Sequence, residues 1–451
     1  MEKRESTNLS EGVIWKRLLW FFLPIVIGTW FQQLYNAVDA VIVGKYVGTE
    51  ALASVSGTPA TLINVIISIF VSLASGSSVI VSQYYGAGRK KELEKATGTA
   101  VTFCIILGLI LMLCIIPLTV PILRWMSTPE EIIDSSALYM RIFCSGLVIT
   151  LLLNIESGIL RGVGDSKNPL IYMITACVLN IVLDIVFVRY MNMGVAGAAI
   201  ATVLAQLCNM ILLTWKLMTT KESYRLNLRC LGINSGVLSH MMKLGIPQAL
   251  QGGVYSISNA YMQAAINKLG TVVVASWGLA GKVDGFYWAT ASAAGIAVTA
   301  FVGQNYGAGD FKRVWKTART GMGIFIPMTL LICAALLLFG PNLLPMFTDN
   351  AEVVSTTYTI MLYFVPFYFT WTILEVLTAV MRGCGEVRKP AIISIFGIGI
   401  FRFVWVWTVY ALYPTLFNIS IVYAISWTIT ATIILIYYIR WKKKLVEKNV
   451  K

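Results

Sequence analysis

Charge is what this sequence has least of. Only 12% of its 451 residues are Asp, Glu, Lys or Arg, while 57% are apolar. Soluble domains carry about 25% charged residues. A soluble multi-domain chain of this size needs far more polar surface, and a disordered or nucleic-acid-binding chain needs more still. Histidine is reduced to a single residue, His240, in a polar stretch. That argues against zinc catalysis and Ser-His-Asp chemistry. The eight cysteines form no C-x-x-C pair and mostly lie in apolar runs. They read as small packing residues rather than disulfides or metal ligands. No G-x-x-x-x-G-K-[ST] occurs, and no G-x-G-x-x-G follows a strand, so nothing supports ATP-driven work. No small-residue cleavage site follows the first apolar run, which therefore reads as a retained helix.

Long apolar stretches are abundant. A membrane span needs about 20 mostly apolar residues. Twelve stretches qualify, at about 18–43, 54–82, 98–122, 137–160, 170–190, 194–215, 244–267, 272–303, 318–340, 356–381, 391–412 and 417–439. Most connections are short. The exception, about 216–243, is basic. It suggests an N-lobe (1–220), a cytoplasmic linker (221–243) and a C-lobe (244–451).

The net charge is +14. With the N-terminus placed inside, 28 of the 35 Lys and Arg fall on inner segments. This positive-inside bias predicts a multi-pass plasma-membrane protein with both termini cytoplasmic.

The two halves repeat. Ser82-Gln83-Tyr84-Tyr85-Gly86-Ala87-Gly88 recurs as Gly303-Gln304-Asn305-Tyr306-Gly307-Ala308-Gly309. Arg161-Gly162-Val163-Gly164-Asp165 recurs as Arg382-Gly383-Cys384-Gly385-Glu386. Both pairs share one offset of 221 residues, which makes coincidence a poor explanation. Each half holds an even number of spans, so the repeats run parallel, related by an axis along the membrane normal. A binding site near the midplane is expected.

Further signatures are Asp39-x-x-x-x-Gly44, Asn180-x-x-x-Asp184 and G-V-A-G-A-A-I-A-T at 194–202. Together with the doubled motifs, their order along the chain resembles the multidrug and toxic compound extrusion (MATE) transporters. The resemblance covers nearly the whole chain. It implies a V-shaped pair of six-helix lobes that export organic, often cationic, compounds against inward H+ or Na+.

A charged residue at the bilayer centre costs about 2.5–3.5 kcal/mol on insertion scales. Five acids fall within the spans: Asp39, Glu156, Asp184, Asp284 and Glu375. In the C-half, Lys282 and Arg402 could neutralise Asp284 and Glu375. In the N-half no base lies deep in the spans, and an uncompensated carboxylate in low dielectric takes up a proton or a cation. Asn180 and Asp184 share a helix face at i, i+4, and Asn36 and Asp39 at i, i+3. Thr202 adds a hydroxyl, and Asn154 lies beside Glu156 in sequence. The coupling candidates are thus Asp39, Asp184, Asn180, Thr202, Asn36 and Asn154. The family pattern implies that Asp39, Asn180, Asp184 and Thr202 line the cation site. Their oxygens suit Na+; the two carboxylates suit H+ equally.

In the C-half, Tyr255, Asn259, Gln263 and Asn267 form one polar stripe at i+4 steps. Tyr255, Asn259 and Gln263, with Glu375, Trp405 and Lys282, are the substrate candidates, since aromatic faces and carboxylates attract organic cations. Glu156 could simply pair with Arg161. The expected molecule is an all-α integral membrane protein of twelve transmembrane helices in two lobes. It is expected to be a monomeric antiporter of small organic compounds, not an enzyme. It works in lipid without nucleic acid, and has no cofactor beyond the coupling ion. A lipid or lipid-linked oligosaccharide flippase is the alternative; it predicts a cationic cavity, whereas the deep N-half residues are acidic.

Overall fold

In the computed structural model, which describes residues 8–126 and 128–450, the expected apolar stretches form helices. They are α1 (Ile14–Tyr46), α2 (Thr58–Gly86), α3 (Lys90–Trp125), α4 (Glu130–Ser145 with Leu147–Gly162), α5 (Lys167–Tyr190) and α6 (Gly194–Thr219). The second set is α7 (Ser235–Asn267), α8 (Thr271–Gly307), α9 (Phe311–Leu343), α10 (Ala351–Gly383), α11 (Arg388–Tyr410) and α12 (Leu416–Val450). No strand occurs among the described residues.

Among the described residues, ten helices are long and apolar enough to cross a membrane, and the bent α4 pair makes an eleventh. α7 has the length, at 33 residues. Its glutamines, asparagines and glycines leave it less apolar than the rest.

Three departures from regular spans have local causes. The second stretch starts at Thr58 rather than 54, because Pro59 occupies the first turn and Gly57 closes off the short helix Thr49–Ser56. α4 bends by 48° at Gly146. α10 passes through a 3-10 turn at Val365–Phe367, where Pro366 supplies no backbone N–H.

The chain forms two compact units. One contains the segment ending at Glu11, Trp20–Ala249 and Gly303–Gly309. The other contains Gly12–Leu19, Leu250–Val302 and Asp310–Lys451.

The sequence repeat is also a backbone repeat. Gly88 and Gly309 both turn with positive φ, at 66° and 76°; Gly164 and Gly385 do so at 92° and 87°. α5 widens into a π-helix at Ile185–Tyr190, and α11 does the same at Val406–Tyr410, again 221 residues on. Within the first unit the doubled glycine motif has a direct steric reason. A Cβ on Gly86 would be driven into the Gln304 carbonyl, and a Cβ on Gly307 into the Gln83 carbonyl. The two motifs therefore cross backbone to backbone. Gln304, fully buried, secures the crossing: its Oε1 accepts from the Leu9 N–H at 2.9 Å, and its Nε2 donates to the Gly162 carbonyl at 2.8 Å.

Gly86→Ala and Gly307→Ala are each expected to destabilise the protein by about 1–3 kcal/mol, the usual cost of overpacking. A lowered apparent Tm and reduced monodisperse yield on size exclusion would record it. Gly88→Ala, which meets no neighbour, should show only the milder strain of its positive φ.

Candidate functional site

Three helices of the first unit bring the N-half candidates together. α1 supplies Asp39, which is 9% exposed; α5 supplies Asn180 and Asp184, both fully buried; α6 supplies Thr202, also buried. The Asp39 and Asp184 carboxyls are close enough to interact directly. Asn180 and Asp184 sit one turn apart, immediately before the π-helical segment of α5. Such local widening is frequent at functional sites.

Five buried side-chain atoms here have no hydrogen-bond partner among the described residues: Oδ1 of Asp39, both oxygens of Asp184, and both amide atoms of Asn180. Buried polar groups are normally satisfied, and each exception asks for an explanation. An apolar cluster packs alongside. It includes Ile42 and Val43 of α1, Ile63 of α2, Val188 of α5, and Val195 and Ala198 of α6. These side chains offer the carboxylates no compensating donor.

Two tyrosines complete the site and were not among the sequence candidates. Tyr35 lies close to Thr202 and within electrostatic range of Asp39 and Asp184. Tyr139 of α4 lies within the same range of both acids. Tyr35 is one turn before Asp39, so its i, i+4 spacing was a usable signal. Tyr139 has no such local cue, because its neighbours come from other helices.

The other coupling candidates fare differently. The Asn36 side chain lies outside the described residues. Asn154 uses its amide locally, donating to the Thr150 carbonyl at 2.7 Å. Glu156 accepts from Thr214 at 2.6 Å, and no ion pair joins it to Arg161 among the described residues.

In the second unit the substrate candidates take individual partners, although Tyr255 lies within electrostatic range of both Glu375 and Arg402. Glu375 pairs with Arg382 at 3.4 Å, not with Lys282 or Arg402. Its carboxylate presses against Gly295, where only a hydrogen fits. It also lines a small pocket with Thr290, Thr329 and Thr372. Lys282 is exposed and has no ion pair among the described residues.

Arg402, buried, donates to Asn259 at 3.0 Å and to Ser426 at 3.3 Å. Its guanidinium lies 4.0 Å from the Tyr423 ring centre and 5.9 Å from that of Trp427. Asp284 accepts from the Tyr368 hydroxyl at 2.6 Å and from Trp288 at 3.1 Å. Its partners are thus aromatic donors rather than a base. The expected mutual neutralisation of these charges is replaced by hydrogen bonds and ring faces, which cost less geometry than a buried ion pair.

Tyr255 accepts from Gln251 at 3.2 Å and packs against Trp371. Gln263 donates to Asn267 at 2.9 Å. Trp405 donates to the Asn418 carbonyl at 3.0 Å and packs on Phe401, a structural placement.

Known proteins share this architecture. The MatE family model matches the chain twice, over residues 24–186 and 247–408, one match in each half. The chain belongs to the MatE family. It is 28% identical over 396 residues to the probable multidrug resistance protein YoeA of Bacillus subtilis, covering 86% of this chain and 85% of that one. It is 24% identical over 388 residues to the probable multidrug resistance protein NorM of Thermotoga maritima, covering 85% and 83%. A crystal structure of MATE in complex with MaL6 superposes with a TM-score of 0.92 at 22% identity, covering 99% of this chain and all of that one. An outward-facing multidrug resistance MATE family transporter gives 0.90 at 23%, with 99% and 100% coverage. This MATE chain is therefore a multi-pass, all-α membrane transporter with two repeated halves.

The carboxylate–amide site fits a cation on the evidence of its orphaned atoms. Among the described residues no three of His, Cys, Asp and Glu converge. A metal ion here would need oxygens from Asn180 and Thr202 beside the two carboxylates. An amide with no partner among the described residues contributes no internal hydrogen bond there. Asn180→Leu, of similar size, should then leave the Tm in cation-free buffer at or above that of the wild type. It should weaken any rise in Tm on adding Na+, while the rise on lowering pH, which rests on the two carboxyls, should persist. Thermal melts across both titrations test this.

Proposed function

We propose that this protein is a secondary active exporter of small organic, chiefly cationic, compounds, driven by inward movement of H+ or Na+. The observation that carries the reading is the Asp39–Asp184 pair. These are two interacting carboxyls, buried beside Asn180, with oxygens that no group among the described residues satisfies. Two close carboxyls in a low-dielectric site cannot both ionise without a partner. They take a proton between them, or they share a hard cation with the Asn180 and Thr202 oxygens.

Neutralising the pair from the outer side removes the cost of a buried charge and favours the state that releases substrate outward. Losing the ion inward restores the charge and favours return. The coupling is a differential stability of two states, which is all that a driving ion can supply. The naming of the bacterial relatives as multidrug resistance proteins supports organic substrates. The deep acids of both halves suit substrates of positive charge. The proposal includes a plasma-membrane setting with both termini cytoplasmic, a monomer, and no cofactor beyond the ion.

The test is efflux of a fluorescent organic cation from membrane vesicles, with Na+ and pH gradients imposed separately. One gradient should drive transport in the wild type. Asp39→Asn and Asp184→Asn should each abolish that coupling while the protein remains inserted and monodisperse. Wild-type efflux in both variants would overturn the assignment.

A further inference from the structure

The same unit holds a third deep carboxyl that the Asp39–Asp184 site does not use. Glu156, on the second segment of α4, is 1% exposed. Its Oε1 accepts from the Thr214 hydroxyl of α6 at 2.6 Å, while its Oε2 is buried with no partner among the described residues. Helix α6 connects the two places. It carries Thr202 at the carboxylate pair and Thr214 at Glu156, twelve residues further on, or about 18 Å along the axis at 1.5 Å per residue.

Hydrogen-bonding groups lie at intervals along that path. Gln206 accepts from Thr150 of α4 at 2.6 Å. Asn209 is buried, with an Oδ1 that has no partner among the described residues. Thr202, Gln206 and Asn209 follow i, i+4, i+7 spacing on one face, and Thr214 lies further round the helix. Two residues beyond Thr214 stands Lys216, at the end that the basic-residue bias assigns to the cytoplasm. The titratable neighbour facing Glu156 is Cys104 of α3. On its own helix Arg161 lies five residues beyond, and α2 presents Ser78 to this segment at the Gly158 carbonyl.

We propose that Glu156 is an inner proton-binding residue that receives the coupling proton from the Asp39–Asp184 pair and releases it to the cytoplasm. One proton leaves the outer carboxyl, which becomes a carboxylate. The Glu156 carboxylate becomes an acid and then gives that proton to cytoplasmic water. The inference rests on the proton form of the coupling proposed above.

The test uses the full-length protein in proteoliposomes. Substrate accumulation driven by a pH gradient is compared with substrate exchange in the absence of a gradient. Glu156→Gln keeps the size and the Thr214 contact but cannot bind or release a proton. It should lose proton-driven accumulation by about a hundredfold or more, the scale of a missing proton-transfer group. Exchange should persist, and Glu156→Asp should restore part of the driven rate. Thr214→Val removes the hydroxyl that stabilises the charged carboxylate, so its pH–rate profile should move to higher pH. That readout stands even if Glu156→Gln fails to fold.

Proton-driven accumulation at the wild-type rate in Glu156→Gln, or an unmoved profile in Thr214→Val, would overturn the inner site. Asp39→Asn separates the two readings. If it fails while Glu156→Gln works, only the inner site falls. If both work, the coupling assignment falls as well.

Discussion

Removing an ionisable side chain from water costs several kcal/mol unless the protein returns donors, acceptors or counter-charge. That constraint governs where this molecule can keep its few deep charges. In the second unit the three buried or partly buried ones, Asp284, Glu375 and Arg402, are provided for. Asp284 receives two hydrogen bonds, Glu375 has Arg382, and Arg402 is held by Asn259, Ser426 and two ring faces. In the first unit Asp39, Asp184 and Asn180 are left with buried atoms that no group among the described residues satisfies. An arrangement that is costly when empty and relieved by a proton or a cation can be switched by that ion.

The contrast is sharper because the backbones of the halves match. Turn glycines, the Gln-x-x-Gly crossing and the π-helical widening recur at the same offset in both. The backbone that precedes the π segment carries Asp184 in one half and Trp405 in the other. Widening of the helix is therefore a shared scaffold property. The chemistry comes from the side chain placed next to it. The doubled glycine motif belongs to the scaffold as well, since its small residues let two chain segments pass in direct backbone contact.

Much of the site was legible from residue type alone. Deep acids are rare enough in spans that Asp39, Asp184 and Glu156 stand out without any coordinates. The helical period then joined Asn180 to Asp184. Tyr139 escaped that reasoning because its role depends on a neighbouring helix, and periodicity within one helix says nothing about the next. The same gap explains the C-half. Four charges of both signs suggested mutual pairing, but Arg382, in the last turn of α10, reaches back seven residues to Glu375. Arg402 found rings and amides instead. Helix breaks were half visible: Pro59 and Pro366 mark theirs, whereas the bend at Gly146 needs only a small residue and so carries little signal.

The sequence by itself determined the class of molecule, the number of helical stretches, the repeat and the charge bias. These follow from composition and period, which act locally or as sums over the chain. The tertiary structure decided which polar atoms have partners. It joined Asp39 to Asp184, brought Tyr35 to Thr202, set Glu156 on Thr214, and dispersed the C-half candidates among separate partners. Satisfaction of a buried group is a property of helices packed side by side. No spacing within one helix can specify it.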